Sequence, residues 1–268
     1  MKKVCVVIPI HSPYPTKYEL ISFQQCLRVF KNRDIVVVSP FGMGLDEYKK
    51  LGNSFSIVSI DKKWQKSLMA YNKLKMSKYF YNLFSDYEFL LTYELDAFVF
   101  EDNLDYWCNQ GYDYIGAPWF DGYDNPDPSN RLIGVGNSGF SLRRISSVKN
   151  VLKNVYYKNP YDYLSGRKDA IKADIKLLAY KMVGFFGENY SLQNSGLLED
   201  VFFGTIACKG AESFVKAPVE EAIKFSFEVN PREMLKINNG VLPMGCHAWW
   251  RYDLDFWKPY IEAFSYRL

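Results

Sequence analysis

Residues 87–100 read YEFLLTYELDAFVF, an apolar run from Tyr87 to Thr92 that ends in two carboxylates, Glu94 and Asp96. A short continuous apolar run rich in aromatic and aliphatic residues predicts a strand buried on both faces. Similar runs precede it at Val4–Ile10, Ile35–Ser39 and Phe55–Ile60. Between the first two, Leu20, Phe23, Leu27 and Phe30 recur at spacings of three and four within Lys17–Phe30, the period of a one-sided helix. A long helical stretch is expected over Gln65–Phe84. Strand and helix in alternation, with continuous apolar strands, predict an α/β fold: a Rossmann-like, mostly parallel central sheet flanked by helices. Ligands of such sheets sit beyond the carboxyl ends of the strands, which directs attention to His11, Ser39 and the residues just after Thr92.

Working outward, the start Met1-Lys2-Lys3 followed by Val4–Ile10 has the charged opening of a signal peptide, but Pro9 interrupts the run, His11 ends it, and no small-residue cleavage site follows. No stretch approaches the roughly 20 apolar residues that span a bilayer. In the second half, Asp121–Arg131 (DGYDNPDPSNR) is polar and aperiodic and reads as a long loop of the kind found at binding sites. A strand is expected near Phe140–Arg143, and helices near Ile145–Asn154, Ala170–Met182 and Leu198–Cys208. No repeat or linker divides the chain, so residues 1–268 are read as one domain.

The composition narrows the function classes. At 268 residues, 48% hydrophobic and 24% charged, the chain has ordinary globular values, which exclude disorder, collagen and coiled coil. Lys+Arg 33 against Asp+Glu 30 gives a net charge of +3 with no basic cluster, so no nucleic-acid partner is expected. The mild positive balance leaves room for peripheral attraction to an anionic membrane surface. The five cysteines form no C-x-x-C and point to reduced thiols in a cytoplasm. There are only two histidines, His11 and His247, so a zinc site built from several imidazoles is excluded.

Glu94 and Asp96, separated by one residue at a strand end, can point the same way and hold a hard divalent cation that bridges phosphate oxygens. Glu199-Asp200 stands at the expected start of a helix. There an acid pair interacts favourably with the helix dipole, or a carboxylate facing an apolar site serves as a general base. His247 can complete a metal site through a neutral imidazole. The literal G-x-G-x-x-G at Gly134, Gly136 and Gly139 lies mid-chain and runs into a strand-like segment, against the context that nicotinamide binding requires. The aromatic content, 18%, suits carbohydrate, and Trp119, Tyr123, Trp249 and Trp250 flank the polar segments as candidate acceptor contacts.

Tyr71-Asn72-Lys73-Leu74, Tyr93–Phe100 (YELDAFVF), Tyr112–Trp119 (YDYIGAPW), Gly134–Arg143 (GVGNSGFSLR), Glu199-Asp200-Val201 and the late His247 together resemble metal-dependent GT-A glycosyltransferases, and more narrowly a bacterial family of uncharacterised glycosyltransferases. The resemblance implies a nucleotide-sugar-binding half over 1–117 and a donor-sugar and acceptor half over 118–268. It makes Asp96 the metal and diphosphate residue, with Glu94 in place of the usual first Asp, and His247 the second metal ligand for Mn²⁺ or Mg²⁺. Asp200 becomes the base, with Glu199 holding the acceptor. Gly136, Asn137, Ser138 and Gly139 line the donor sugar, and His11 and Asn72 meet the nucleotide. The implied partners are a nucleotide-sugar donor, most simply a UDP-sugar, and a glycan or lipid-linked saccharide acceptor. The rival readings are a sugar- or nucleotide-binding protein without turnover and a nicotinamide-dependent oxidoreductase.

Overall fold

The computed structural model describes residues 1–164, 166–184 and 187–268. Its strands are β1 (Lys2–Pro9), β2 (Asp34–Pro40), β3 (Ser56–Ile60), β4 (Tyr87–Tyr93), β5 (Phe98–Val99), β6 (Tyr114–Ile115), β7 (Pro118–Phe120), β8 (Leu132–Val135), β9 (Phe140–Arg144), β10 (Ser226–Phe227) and β11 (Gly245–Cys246). Six of them form a central sheet in the order β3-β2-β1-β4-β9-β6. β1 to β4 run parallel, and β9 pairs antiparallel with both β4 and β6. The mostly parallel, helix-flanked sheet is the expected architecture.

The alternation of side chains along β1 explains the layering. Val4, Val6 and Ile8 point into one buried layer with Phe23 and Phe30 of the helix Lys17–Val29. Cys5 and Val7 point into the other, with Leu74, Phe80, Val148 and Leu152. A strand with apolar residues at every position can satisfy both layers, each side chain contributing about 1.5–3 kcal/mol by burial. The helix Lys17–Val29 starts where it does because Thr16 and Glu19 form a reciprocal cap, with Glu19 N–H donating to Thr16 Oγ1 (3.3 Å) and Thr16 N–H to the Glu19 carboxylate (2.6 Å).

The long helix expected over Gln65–Phe84 is two helices, Leu68–Lys75 and Lys78–Asn82. Ser77 divides them: its hydroxyl donates to Leu74 O (2.6 Å) and accepts from Phe80 N–H (3.2 Å), so it closes one helix and caps the next. The helix expected from Leu198 opens with an α turn, Glu199–Val201, widens to a π-helix over Phe202–Ala207 and closes with Cys208–Gly210. No helix among the described residues is long and apolar enough to cross a membrane.

A second sheet, β10-β11-β5, decides where the site falls. It is stabilised by a third apolar cluster that includes Phe98, Phe227, Trp249, Phe256 and Trp257. β10 and β11 are parallel while β5 is antiparallel to β11. Glu228 after β10, His247 after β11 and Asp96 before β5 therefore emerge at the same end of this sheet.

Candidate active site

The chain passes from the central sheet to the small one through a tight turn. β4 ends at Tyr93, Ala97 N–H donates to Glu94 O (2.9 Å), and β5 begins at Phe98. Glu94 and Asp96 are thus turn residues, not successive same-face positions of one strand as the sequence reading assumed. Their carboxylates nonetheless converge with His247, and one ligand atom from each of the three lies within 4.8 Å of the others. His247 Nε2 stands 3.0 Å from Asp96 Oδ1 and 3.9 Å from Glu94 Oε2, while Nδ1 meets Glu228 Oε1 at 2.7 Å.

Two buried polar atoms here, Asp96 Oδ1 and His247 Nε2, make no well-formed hydrogen bond. Leaving such atoms unpaired is costly, so their joint orientation fits a cation between them. Glu228 on the opposite ring nitrogen fixes the imidazole's orientation, an arrangement common around metal-ligating histidines. Burial acts against protonation of His247, but the Asp96 and Glu228 carboxylates outweigh it and hold its pKa well above the usual imidazole value. Gly139 makes room for the ring, since a Cβ at that position would overlap the imidazole.

Beneath this centre lies a buried layer of charge. Lys75 Nζ stands 3.0 Å from Glu94 Oε1 and 3.4 Å from Glu199 Oε1, and Arg143 Nη2 donates to Glu199 Oε1 at 2.6 Å. Ser138 and Tyr71 hydroxyls also donate to Glu94 Oε1, each at 3.1 Å, and Arg143 Nη1 donates to the Tyr81 hydroxyl at 2.9 Å. Burial, the largest single influence, would raise the Glu94 carboxyl, but Lys75, His247 and the hydrogen bonds from Lys75 and Ser138 together outweigh it and hold it at about 2. Glu199 is likewise held below the usual carboxylate range, burial being outweighed by Lys75 and Arg143.

Asp200, one residue on, faces elsewhere. It lines a cleft of about 430 Å³ with Trp119, Tyr123, Leu198 and Glu228. Burial, then the neighbouring Glu199 charge, raises its carboxyl to about 6. A carboxyl of that kind is suited to accepting a proton near neutral pH.

Several expected roles are corrected by these positions. Glu199 is 2% exposed and fully engaged by Arg143 and Lys75, so it has no access to an acceptor hydroxyl. Asn72 is buried, donating to Leu197 O (2.6 Å) and accepting from Glu199 N–H (2.7 Å); it fixes the segment that carries Asp200 instead of meeting a nucleotide. Trp249 is fully buried with its indole N–H on Ser22 Oγ (3.1 Å), which leaves no face for an acceptor. Trp119 is nearly buried and reaches the cleft with Tyr123, to which its ring stands edge-on at 5.6 Å. Trp250 is partly exposed and packs on Tyr18. His11 is exposed after β1, its ring 6.2 Å from that of Tyr71.

The glycine-rich loop joins β8 to β9, and Gly139 leads into the strand instead of opening a helix. Gly136 accommodates the Trp119 ring, and Asn137, at φ 75°, turns the chain while its Oδ1 accepts from Gly139 N–H at 2.8 Å. Ser138 of that loop also bonds Lys75. Sequence reasoning missed Lys75, Arg143 and Glu228. The first two stand beside other cations, Lys73 and Arg144, and nothing in the sequence separates them from solvated positions.

The site therefore belongs to an α/β protein with an acid–imidazole centre at the carboxyl end of its central sheet and a carboxyl of raised pKa in the adjoining cleft. By sequence the chain belongs to the family described as protein of unknown function DUF5672, whose profile matches residues 54–247. No curated protein matches the sequence. Among solved structures it is similar to the galactosyltransferase LgtC in complex with donor and acceptor sugar analogs, at 11% identity over 91% of this chain and 86% of that one, with a TM-score of 0.47. It is also similar to a glycosyltransferase involved in glycosylation of the major capsid of PBCV-1, at 6% identity over 97% and 99% of the two chains, TM-score 0.46. A third is core-mannan synthase A from Aspergillus fumigatus in its Mn/GDP form, at 11% identity over 75% and 71%, TM-score 0.42.

Proposed function

We propose that this protein is a metal-dependent glycosyltransferase of the GT-A type, moving a sugar from a nucleotide-sugar donor, most simply a UDP-sugar, to a hydroxyl of a glycan or lipid-linked saccharide. One observation carries the reading: Glu94, Asp96 and His247 converge beside a cleft whose wall presents Asp200, a carboxyl raised to about 6. Asp96 and His247 would hold Mn²⁺ or Mg²⁺, which when bound neutralises charge on a leaving diphosphate. Glu94 has one oxygen committed to Lys75, Ser138 and Tyr71, so it serves the centre through Oε2 alone.

The donor is oriented by the chain's own groups. The nucleotide lies beyond β1 near His11, and the sugar lies against the loop Gly136–Gly139. The acceptor enters the cleft along Tyr123 and the exposed part of Trp119, with Trp250 at the rim. The acceptor oxygen then attacks the anomeric carbon as the bond from that carbon to the diphosphate oxygen breaks. Asp200 takes the hydroxyl proton, and a single displacement inverts the anomeric configuration. Glu199 does not touch the acceptor; its charge helps hold Asp200 at a pKa suited to this task.

The test is a screen of nucleotide sugars for nucleotide release with and without Mn²⁺. Release from one donor that stops on chelation is the expected result. A ligand at 100 times its Kd stabilises by about 2.7 kcal/mol. UDP that raises the Tm equally with Mn²⁺ and with chelator would remove Asp96 and His247 from the reaction. Binding without release from any donor would leave a sugar- or nucleotide-binding protein.

A further inference from the structure

The cleft that holds Asp200 has a second carboxylate to which the proposed reaction gives no contact with substrate. Glu228 follows β10 and lines the cleft together with Asp200. Its Oε1 lies 2.7 Å from His247 Nδ1, while Oε2 has no hydrogen-bond partner among the described residues. The side chain is 15% exposed, so one oxygen orients the imidazole and the other remains open to the cleft. Burial, then the Glu199 charge, raises the Asp200 carboxyl, and Glu228 adds a smaller push in the same direction. The two carboxylates are therefore within electrostatic reach of each other.

The rest of the cleft adds a third acid and no base. Among the described residues that line it, the charged side chains are Asp124, Asp200 and Glu228. Asp124 accepts from the Tyr252 hydroxyl at 2.8 Å and meets Arg251 Nη2 at 3.5 Å, and that arginine is not part of the lining. The cations of the buried layer, Lys75 and Arg143, are already matched by Glu94 and Glu199. Between the acids stand the rings of Trp119 and Tyr123.

We infer that Glu228 is an acceptor-binding carboxylate, and that the sugar unit seated between it and Asp200 carries free hydroxyls and no carboxylate, phosphate or sulfate. An ionised carboxylate only accepts hydrogen bonds, so two of them facing one cavity call for a ligand with several donors. Ring hydroxyls supply these donors while the apolar face of the sugar covers Tyr123 and the exposed part of Trp119. The hydroxyl on Asp200 is the one that attacks, and a second hydroxyl on Glu228 Oε2 fixes its direction. An acidic sugar would set acceptor against acceptor and like charge against like charge. The inference rests on the glycosyltransferase reading for the role of the bound sugar; the charge preference is a property of binding alone.

The experiment is a ligand-observed NMR titration of the full chain, at about pH 7.5 with chelator. The probes are the methyl glycosides of glucose, galactose and mannose and the corresponding uronates, in which a carboxylate replaces the hydroxymethyl group. At least one neutral glycoside should bind, and its uronate should bind about tenfold more weakly. Glu228→Gln, whose amide oxygen can keep the imidazole contact, should hold the wild-type Tm, weaken the neutral glycoside about fivefold and weaken the uronate less. Tyr123→Ala, at a position 51% exposed, should weaken the neutral glycoside about fivefold, which assigns the bound sugar to this cleft. The inference is overturned if the uronates bind as tightly as their neutral partners, if no neutral glycoside binds, or if either variant leaves the affinities unchanged. Nucleotide release from a donor together with a preference for uronates would remove this inference and keep the transferase. Preferential binding of a neutral sugar with no donor turned over would keep Glu228 as a sugar contact and remove the transferase.

Discussion

Two clusters of charge meet at the end of the central sheet, and they are built on opposite principles. In the buried layer of Lys75, Glu94, Arg143 and Glu199, cation and anion face each other at 2.6–3.4 Å. At the end of the small sheet, Asp96 Oδ1 and His247 Nε2 face each other at 3.0 Å without a well-formed hydrogen bond, and Asp200 joins no ion pair among the described residues. Chain neighbours divide between the two. Glu94 and Glu199 go to the paired layer, while Asp96 and Asp200, two positions and one position further on, go to the open side. Carboxylates locked to Lys75 and Arg143 hold the scaffold in place, while Asp96, which faces only the imidazole, and Asp200, which faces no cation among the described residues, are left for chemistry. The contrast separates residues that adjacency in sequence makes look equivalent.

The largest expected effect falls on the open side. Asp200→Asn should lower transfer by about 10²- to 10⁴-fold with donor binding intact, measured as kcat at saturating donor. Near-normal turnover would return Asp200 to a structural role. The wild-type rate should rise as pH passes through about 6, as Asp200 ionises, and the variant should lack that limb. The stability sign runs the same way. Because the folded pKa is raised, the protonated carboxyl favours the fold below the unfolded pKa of about 3.9, and this contribution is lost as pH rises through about 6. Asp200→Asn should accordingly flatten the decline of Tm across that window.

Arg143→Met tests the paired layer next. Removing one partner of a buried ion pair should cost about 3–5 kcal/mol in urea unfolding, because Glu199 loses its 2.6 Å contact. A cost below about 1 kcal/mol would mean that the layer is not the scaffold it resembles. Glu228→Gln sits between the two regions and should weaken Mn²⁺ binding about 10- to 100-fold by calorimetry, with little change in Tm. Smallest is Ser22→Ala, which leaves the Trp249 indole N–H unpaired. A loss of about 1–3 kcal/mol in stability with unchanged acceptor KM would keep Trp249 in the core.

The same contrast explains what the sequence could reveal. β1, β2 and β4 were legible because a strand buried on both faces has only one pattern, continuous apolar residues, and those runs stand out unaided. Asp96, Asp200 and His247 were legible as residue types in suggestive places. Their convergence was not, since it depends on β5, β10 and β11, each two residues long and without a readable period. The paired layer was hidden for a different reason. Lys75 stands two residues from Lys73 and Arg143 beside Arg144, and cations in such pairs look like solvated positions until the fold supplies their carboxylates. Trp249 was misassigned because aromatic character alone does not separate a sugar platform from core.

The small sheet also sets an order of events. Asp96 comes from a point of the chain far from Glu228 and His247, and only the pairing of β5 with β11 and β10 with β11 brings the three together. Loop-closure entropy makes such distant pairings late to form, whereas β1 can meet β2 early. During synthesis the parallel sheet can assemble while the segment bearing His247 is still being made. Cation binding would then report completed folding, and a chain stopped short of His247 could be compact yet have no centre.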